Sequence, residues 1–353
     1  MTAERTVIES LGVYLPPRSV STDTVLAGCA GTSAPQVELL TGISSRRVAD
    51  GEFSEDLAFE AAQRCLAMSR YRPEDIDVLI SAGISRTDGD RTYVLYPPAA
   101  SFLQDRLGCH NAYAFDVNNA CAGFFTALLA AEAFLDQGHE TVMIVSGVMC
   151  SPLTAAAQEE IAGPADPRLA CLTLGDAGAA IVVHRRPGRA GVHELSVNTH
   201  SEHSSLCRAH ISEGPHQGLI MLTDSVPLFA QAFQHGFAAI LEAVERHGWS
   251  GRRLDSVILH QASASIITAA ATALADQWSG DPPRVVLNVA DRGNTASTSH
   301  LVALHDEILR GRIVTGERLA FGVVASGLTV GTCLYAVDDL PDRVRRAAGR
   351  PAA

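Results

Sequence analysis

One cysteine lies where a thiol could act as a nucleophile. Cys121 follows the β-rich run Tyr113–Val117 and comes directly before a helical pattern over Ala122–Asp136. Backbone N–H groups at a helix start lack intrahelical partners and carry partial positive charge, which stabilises a thiolate. We therefore expect the pKa of Cys121 to be lowered and its sulfur to accept an acyl group as a thioester.

Two polar residues further along the chain could serve the same site. His260 ends the apolar run Ser256–Leu259, and Asn294 lies in a Gly-Asn-Thr stretch. A lone histidine, or an asparagine in a turn, is more often structural, but α/β sites gather at the carboxyl ends of strands. With Cys121 they form the set that acyl transfer followed by carbanion chemistry needs. The two side chains would stabilise an enolate by hydrogen bonds in a dry site.

The elements that position these residues follow an α/β pattern. Short β-rich runs alternate with helical patterns along the whole chain, and the Pro/Gly/Arg stretch at 185–191 interrupts that alternation. The alternation then starts again. We predict two similar halves, residues 1–184 with the cysteine and residues 185–353 with the histidine and asparagine.

Composition excludes several classes of function. Hydrophobic residues make up 47% of 353, enough for a large core, and the formal net charge is −12. All 27 basic residues are arginine, which excludes lysine Schiff-base chemistry and a P-loop, and no basic block predicts nucleic-acid binding.

The longest apolar run, 120–131, is too short to span a membrane. The other seven cysteines form no C-x-x-C pair and the start lacks a signal-peptide pattern, so we expect a cytoplasmic protein.

A group of possible metal ligands has the wrong spacing. His200, His203, Cys207 and His210 lie close together in sequence, but no second ligand pair accompanies them. Zinc sites normally take three or four ligands arranged in such pairs. We expect no metal at these residues.

Seven motifs together resemble the β-ketoacyl-acyl carrier protein synthase III branch of the thiolase superfamily. They occur in this order: Leu40-Thr-Gly-Ile43, Ala114-Phe-Asp-Val117, Ala120-Cys-Ala-Gly-Phe124, Leu174-Gly-Asp-Ala-Gly-Ala-Ala180, His260-Gln-Ala262, Gly293-Asn-Thr295, and Ala320-Phe-Gly322 followed by Ser326-Gly-Leu-Thr-Val-Gly331. The resemblance implies a five-layered αβαβα thiolase fold and a homodimer. It also implies ping-pong chemistry, in which an acyl group moves to Cys121 and a malonyl-type thioester then attacks it with loss of CO2.

The same resemblance suggests further site residues. It implies that the thioester oxyanion lies between the backbone N–H of Cys121 and one near Gly327. It implies that the region of Tyr96 reaches across the dimer toward the neighbour's acyl pocket, and we expect Phe125 and Ser326 to line the pocket as well. No cofactor is expected to stay bound, because CoA or phosphopantetheine thioesters are the substrates.

Three departures from the family pattern affect substrate delivery. Gln36 and Leu40 stand where a Trp and an Arg usually hold the CoA adenine, and Ser265 stands where an Arg usually meets the carrier protein. A Gly-Gly-Gly run is replaced by Ala325-Ser-Gly327. We therefore predict a member that works in specialised polyketide or fatty-acyl metabolism, with a carrier protein favoured as donor. Candidate arginines for docking an acidic carrier are Arg46, Arg47, Arg208 and Arg252.

Two other functions stay open at this point. A synthase III-like acyltransferase would move the acyl group from Cys121 to an alcohol or amine without decarboxylation. Such homologues often carry Asp where this chain has Asn294. A non-enzymatic partner subunit of the same fold usually lacks the nucleophile, which is present here.

Overall fold

Two five-stranded sheets form the framework of the chain. The computed structural model describes residues 4–30, 36–84, 86, 94–163, 165–212, 218–250 and 253–349. The first half contains β1 (Glu4–Tyr14), β2 (Ser19–Ser21), α1 (Thr22–Ala27), α2 (Val37–Thr41), β3 (Ser45–Arg47), α3 (Ser54–Met68), β4 (Val78–Ser81), α4 (Ala99–Leu107), β5 (Tyr113–Asp116), α5 (Gly123–Asp136), β6 (Thr141–Val148), α6 (Ser151–Glu160) and β7 (Ala177–Pro187). The second half contains β8 (Gly191–Thr199), β9 (Cys207–Ile211), β10 (Leu219–Thr223), α7 (Ser225–Gln231), α8 (Ala238–Arg246), β11 (Ser256–Leu259), α9 (Ala264–Gln277), β12 (Arg284–Val285), α10 (Val289–Arg292), α11 (Ser299–Leu309), β13 (Arg318–Ala325), β14 (Thr329–Ala336) and α12 (Leu340–Ala347).

The two sheets have the same topology. The first has the order β1-β7-β6-β4-β5 and the second the order β8-β14-β13-β11-β12. In each sheet the first two pairings are antiparallel, β6 and β13 pair in parallel with β4 and β11, and the last pairing is again parallel. Because β8 to β14 repeat the pattern of β1 to β7 strand by strand, the chain is built from two similar halves.

Helices fill three layers around the two sheets. α5 and α11 lie between the sheets, where α5 contacts β6 and β8 and α11 contacts β1 and β11. α3 and α4 cover the outer face of the first sheet, and α8 and α9 contact strands of the second. α11 is buried at every residue from Ser299 to Leu304, as expected for a helix between two sheets. The arrangement is the five-layered αβαβα thiolase fold.

One predicted boundary differs from the observed elements. β7 continues to Pro187, past the predicted division at residue 184, and β8 starts at Gly191. A π-helical segment, Ala232–Phe237, connects α7 to α8. Within the described residues, no helix is long and apolar enough to cross a membrane.

Candidate active site

Cys121 lies in a short 3-10 turn, Ala120–Ala122, that leads directly into α5. The turn begins with Ala120 at φ 46, a left-handed conformation that costs a non-glycine residue about 1–3 kcal/mol. Such strain persists only where the surrounding structure imposes it, and it is common at functional sites. Cys121 is half-buried, and its own backbone N–H lies within hydrogen-bonding reach of its sulfur.

The prediction of a lowered thiol pKa for Cys121 is wrong. Burial raises the pKa of Cys121 to about 12, and the nearby Cys207 sulfur contributes to the rise. The side chain packs against two apolar clusters, so the charged thiolate is poorly solvated there. The thiol of the free protein is therefore protonated near neutral pH, and this desolvation outweighs the helix N-terminus.

His260 follows β11 and is held by two hydrogen bonds. Its backbone N–H donates to the Gly322 carbonyl at 2.8 Å, and its Nδ1 lies 2.8 Å from the Ser299 hydroxyl. Burial, together with the His300 ring, lowers the pKa of His260 to about 3, so the imidazole is neutral. In the tautomer in which the Ser299 hydroxyl donates to Nδ1, the ring proton resides on Nε2, which is then a hydrogen-bond donor.

His300 supports His260 and was missed by the sequence argument. Its Nε2 donates to the same Gly322 carbonyl at 2.9 Å, and its ring stacks on His260 with the centroids 5.8 Å apart. Burial lowers the pKa of His300 to about 4. The Phe125 ring meets it edge-on at 5.0 Å. The sequence does carry a signal for this residue, because it is a histidine that follows a run of small polar residues at the start of an apolar helix.

Asn294 lies on a connection that crosses between the halves. Its backbone N–H donates to the Thr173 carbonyl at 2.9 Å, and its carbonyl accepts from Gly175 N–H at 3.0 Å. The side-chain Oδ1 accepts from the Ala296 backbone N–H at 2.9 Å. Since this bond fixes which end of the amide is the acceptor, the Nδ2 group is the end left to donate.

The elements carrying the three residues pack directly on one another. The turn Ala120–Ala122 contacts both the turn Ala296–Thr298 and β13, and α11 contacts β11. Gly123, at the start of α5, lies so close to the end of β4 that a Cβ there would be 2.9 Å from the Ala82 carbonyl oxygen. The fold therefore brings Cys121, His260 and Asn294 from distant parts of the sequence to adjoining elements.

Gly327 lies in the turn between β13 and β14, beside the cysteine turn. Its φ of 134 is a conformation that favours glycine, and a Cβ there would lie 2.8 Å from the Thr329 hydroxyl. Among the described residues, its N–H has no hydrogen-bond partner. The Ser326 hydroxyl donates to the Cys207 carbonyl at 2.6 Å.

The predicted pocket residues lie in different surroundings. Phe125 is buried and lines an apolar cavity of about 50 Å³ that His300 and Tyr335 also line. Tyr96 is 84% exposed, and Ser326 is half-buried with its hydroxyl on the protein backbone. Of these three residues, Phe125 alone lines that cavity.

The predicted arginine patch is wrong at Arg46. Arg46 is buried, its Nη2 donates to the Leu172 carbonyl at 2.8 Å, and burial lowers its pKa to about 10. Arg47 donates to the carbonyls of Pro16 and Pro17, and Arg208 is exposed. Arg252 lies outside the described residues.

Two exposed leucines lie at the expected adenine site, beside the exposed Gln36 and Glu38. Leu39 and Leu40 are exposed, and the Ser265 hydroxyl donates to the Leu40 carbonyl. In the part of the chain that the structure describes, no cluster of three or more His, Cys, Asp or Glu side chains is arranged to hold a metal ion.

Comparisons with known proteins identify the family of this chain. The N-terminal model of the 3-oxoacyl-[acyl-carrier-protein] synthase III family matches residues 115–202, and its C-terminal model matches residues 244–337. A β-ketoacyl-[acyl-carrier-protein] synthase III from Xylella fastidiosa is 32% identical over 93% of this chain and 97% of its own length. The chain belongs to this family. It is a condensing enzyme of the ketosynthase III type.

Solved structures of the family superpose over nearly the whole chain. The 3-oxoacyl-(acyl carrier protein) synthase III of Pseudomonas aeruginosa PAO1 is 25% identical with a TM-score of 0.81, covering 95% of this chain and 99% of that one. The priming β-ketosynthase of the R1128 polyketide pathway is also 25% identical with a TM-score of 0.81, covering 97% and 99%. The family and fold predicted from the seven motifs are confirmed.

Proposed function

We propose that the enzyme takes an acyl group onto Cys121 and condenses it with a malonyl-type thioester. In the first step the Cys121 sulfur attacks the donor carbonyl, and its proton passes to the departing thiol. In the second step the malonyl group loses CO2, and the electron pair of the broken C–C bond forms an enolate. The enolate carbon attacks the acyl carbonyl, and Cys121 leaves as the thiol after taking up a proton.

One observation carries this assignment. Oδ1 of Asn294 accepts from the Ala296 N–H, which leaves Nδ2 as a donor, and Nε2 of His260 is a donor in the tautomer in which the Ser299 hydroxyl donates to Nδ1. Two neutral donors suit the oxygen of an enolate, on which negative charge appears only during the reaction. A histidine that is neutral because its pKa is about 3 keeps this role over the whole physiological pH range.

The thioester oxyanion of both steps would lie between two backbone N–H groups. One is the N–H of Cys121 itself, the residue to whose sulfur the tetrahedral intermediate would be bonded. The Gly327 N–H lies on the neighbouring turn without another partner among the described residues. Preorganised donors of this kind each contribute about 10²–10³ in rate.

Exposed apolar side chains support a homodimer. β5 is an edge strand of the first sheet, and an unpaired strand edge is a template for pairing with a second chain. Tyr113 on that strand is 63% exposed, and Leu95 and Tyr96 nearby in sequence are 79% and 84% exposed. We propose that this edge is the dimer interface and that Tyr96 lies in it, near the partner's acyl pocket.

The proposed form of the acyl donor rests on the residues at the expected adenine site. Leu39 and Leu40 offer no charge or aromatic plane to a CoA adenine, which favours an acyl group delivered on carrier-protein phosphopantetheine. The likeness to a priming ketosynthase of a polyketide pathway supports a role in specialised metabolism. A cytoplasmic location and the absence of a resident cofactor belong to the same proposal.

Product analysis tests the proposed reaction. The enzyme is supplied with an acyl thioester, on CoA or on a carrier protein, together with a malonyl thioester, and CO2 and ketoester are measured. Release of both in equal amounts supports condensation. Acyl transfer to an added alcohol or amine without CO2 would instead identify an acyltransferase.

A further inference from the structure

The turn that carries Gly327 is tied down on both sides by one segment. We call residues 200–207 the clamp segment. At one end, His200 and Leu328 exchange two backbone hydrogen bonds, of 2.8 and 3.2 Å. At the other end, the Ser326 hydroxyl donates to the Cys207 carbonyl at 2.6 Å. The residues before and after Gly327 are therefore both anchored to the same piece of chain.

The two anchors together orient one peptide group. The N–H of Gly327 belongs to the peptide between Ser326 and Gly327, and glycine at φ 134 has wide freedom to rotate. The backbone hydrogen bonds of Leu328 restrain only the residue after Gly327. The hydrogen bond of the Ser326 side chain restrains the residue before it, and a glycine at position 326 could not form this bond.

The clamp segment is itself held in place by contacts at both of its ends. Cys207 pairs with Thr223 in the β9–β10 hairpin, and their side chains lie 3.6 Å apart. At the other end, the His200 ring stacks on His235 of the π-helical segment, with the centroids 3.8 Å apart. The next residue, Gly236, lies so close to β13 that a Cβ there would be 2.4 Å from Val324. The clamp therefore fixes the turn to two other parts of the fold.

We propose that Ser326 is a positioning residue, whose bond to the Cys207 carbonyl aims the Gly327 N–H at the thioester oxyanion. The inference rests on the proposed function, because it assumes that an oxyanion forms beside Cys121. Ser326 acts through the backbone and does not touch the reacting atoms. The serine compensates for the loss of the Gly-Gly-Gly run by fixing a turn that would otherwise rely on backbone bonds alone.

Loss of the anchor should slow the chemistry and leave donor binding unchanged. Complete removal of one oxyanion donor costs about 10²–10³ in rate, so a misaimed donor should cost about tenfold to hundredfold. The oxyanion forms only in the transition state, so kcat falls while KM stays constant. A residue with a purely structural role would instead lower the melting temperature and the amount of active enzyme.

The experiment compares Ser326→Ala, Ser326→Gly and Ser326→Thr in the full-length enzyme. The rate at which an acyl thioester labels Cys121 is measured by rapid quenching and intact mass over a range of donor concentrations, with melting temperatures recorded in parallel. Thr272→Val is the matched control, because it removes an exposed hydroxyl that donates to the Thr268 carbonyl at 3.1 Å. Cys121→Ala is included in the same series.

The expected result is slow acylation in the Ala and Gly variants at unchanged KM and melting temperature, recovery in Ser326→Thr, and wild-type behaviour in Thr272→Val. If Ser326→Ala misfolds, Ser326→Gly still tests the proposal, because the family pattern has glycine at this position. Wild-type acylation by Ser326→Ala, or equal loss in the Ala and Thr variants, overturns the positioning role. Acylation that persists in Cys121→Ala overturns the proposed function itself, which separates the two failures.

Discussion

The two halves of the molecule begin their central helices in the same way but with different chemistry. Ala120 and Ala296 both have φ 46, and each opens a 3-10 turn before a helix of the middle layer. By this alignment Cys121 corresponds to Ser297. Cys121 is half-buried, whereas Ser297 is fully buried and bonded to the Ser146 hydroxyl at 2.9 Å. The same backbone thus presents the proposed nucleophile in one half and a packing residue in the other.

The strands beside these turns correspond in the same way. Ala82 N–H donates to the Val145 carbonyl at 2.8 Å, as His260 N–H donates to the Gly322 carbonyl. His260 therefore occupies the place that Ala82 has in the first half. In the proposed mechanism the first half supplies the acyl attachment point and the second half supplies the hydrogen-bond donors to the enolate, so neither half is complete alone.

The largest expected effect separates the two equivalent turn residues. Cys121→Ala should abolish acylation, because no other thiol occupies this turn. Ser297→Ala should still acylate. It removes one hydrogen bond of the Ser146 hydroxyl, which still donates to the Ala82 carbonyl at 3.1 Å, and should cost about 0.5–1.5 kcal/mol of stability. Intact mass after incubation with an acyl thioester, with chemical denaturation in parallel, checks both. A loss of acylation in folded Ser297→Ala would show that the turns share one task.

The next effect concerns the donor on the second half. Asn294→Asp keeps the shape of the side chain but replaces the Nδ2 donor with an oxygen, so the enolate loses one hydrogen bond. Decarboxylation of a malonyl thioester should fall about 10²–10³-fold, while acylation of Cys121 continues. Rapid-quench measurement of each half-reaction checks this. Equal loss of both would contradict the division of labour between the halves.

The pH dependence of thiol reactivity measures how strongly burial raises the pKa of Cys121 in the first half. Because the pKa of Cys121 is raised to about 12, its thiolate fraction should grow about tenfold for each pH unit over the whole alkaline range below that value. Alkylation of Cys121 by iodoacetamide, followed by intact mass from about pH 7 to about pH 9, should therefore accelerate about a hundredfold. A plateau beginning near neutral pH would mean that the helix N-terminus dominates after all.

The smallest effect tests the counterpart of Gly123. By the same alignment Ser299 corresponds to Gly123, and in the proposed tautomer its hydroxyl donates to Nδ1 of His260. Ser299→Ala should lower the decarboxylation rate about tenfold, because part of the histidine then carries its proton on Nδ1. Acylation should not change. Thr298→Ser serves as control, because it keeps the hydroxyl that donates to the Thr295 carbonyl at 2.8 Å.

The sequence could predict features that depend on local order along the chain. The strand, turn and helix around Cys121 and the alternating elements of both halves follow from runs of apolar and small residues. The identity of His260 and Asn294 as partners came from strand ends and family motifs, and the structure brings their elements together. The family match confirms the fold and the class of reaction.

Features that depend on distant packing could not be predicted. The raised pKa of Cys121 results from apolar residues of both sheets, whereas the sequence shows only its helix. The burial of Arg46 results from its contact with the loops of Gly175 and Gly293, far along the chain. The roles of Ser299 and Ser326 likewise need partners 39 and 119 positions away.

The most direct test of the account follows both half-reactions in one sample of His260→Ala. The variant is first incubated with an acyl thioester, the acyl group is located by peptide mass, and a malonyl thioester is then added while CO2 is measured. The account predicts an acyl group on Cys121 and a rate of CO2 release reduced about 10²–10³-fold relative to the wild type. An acyl group on another residue, or CO2 release at the wild-type rate, would contradict it.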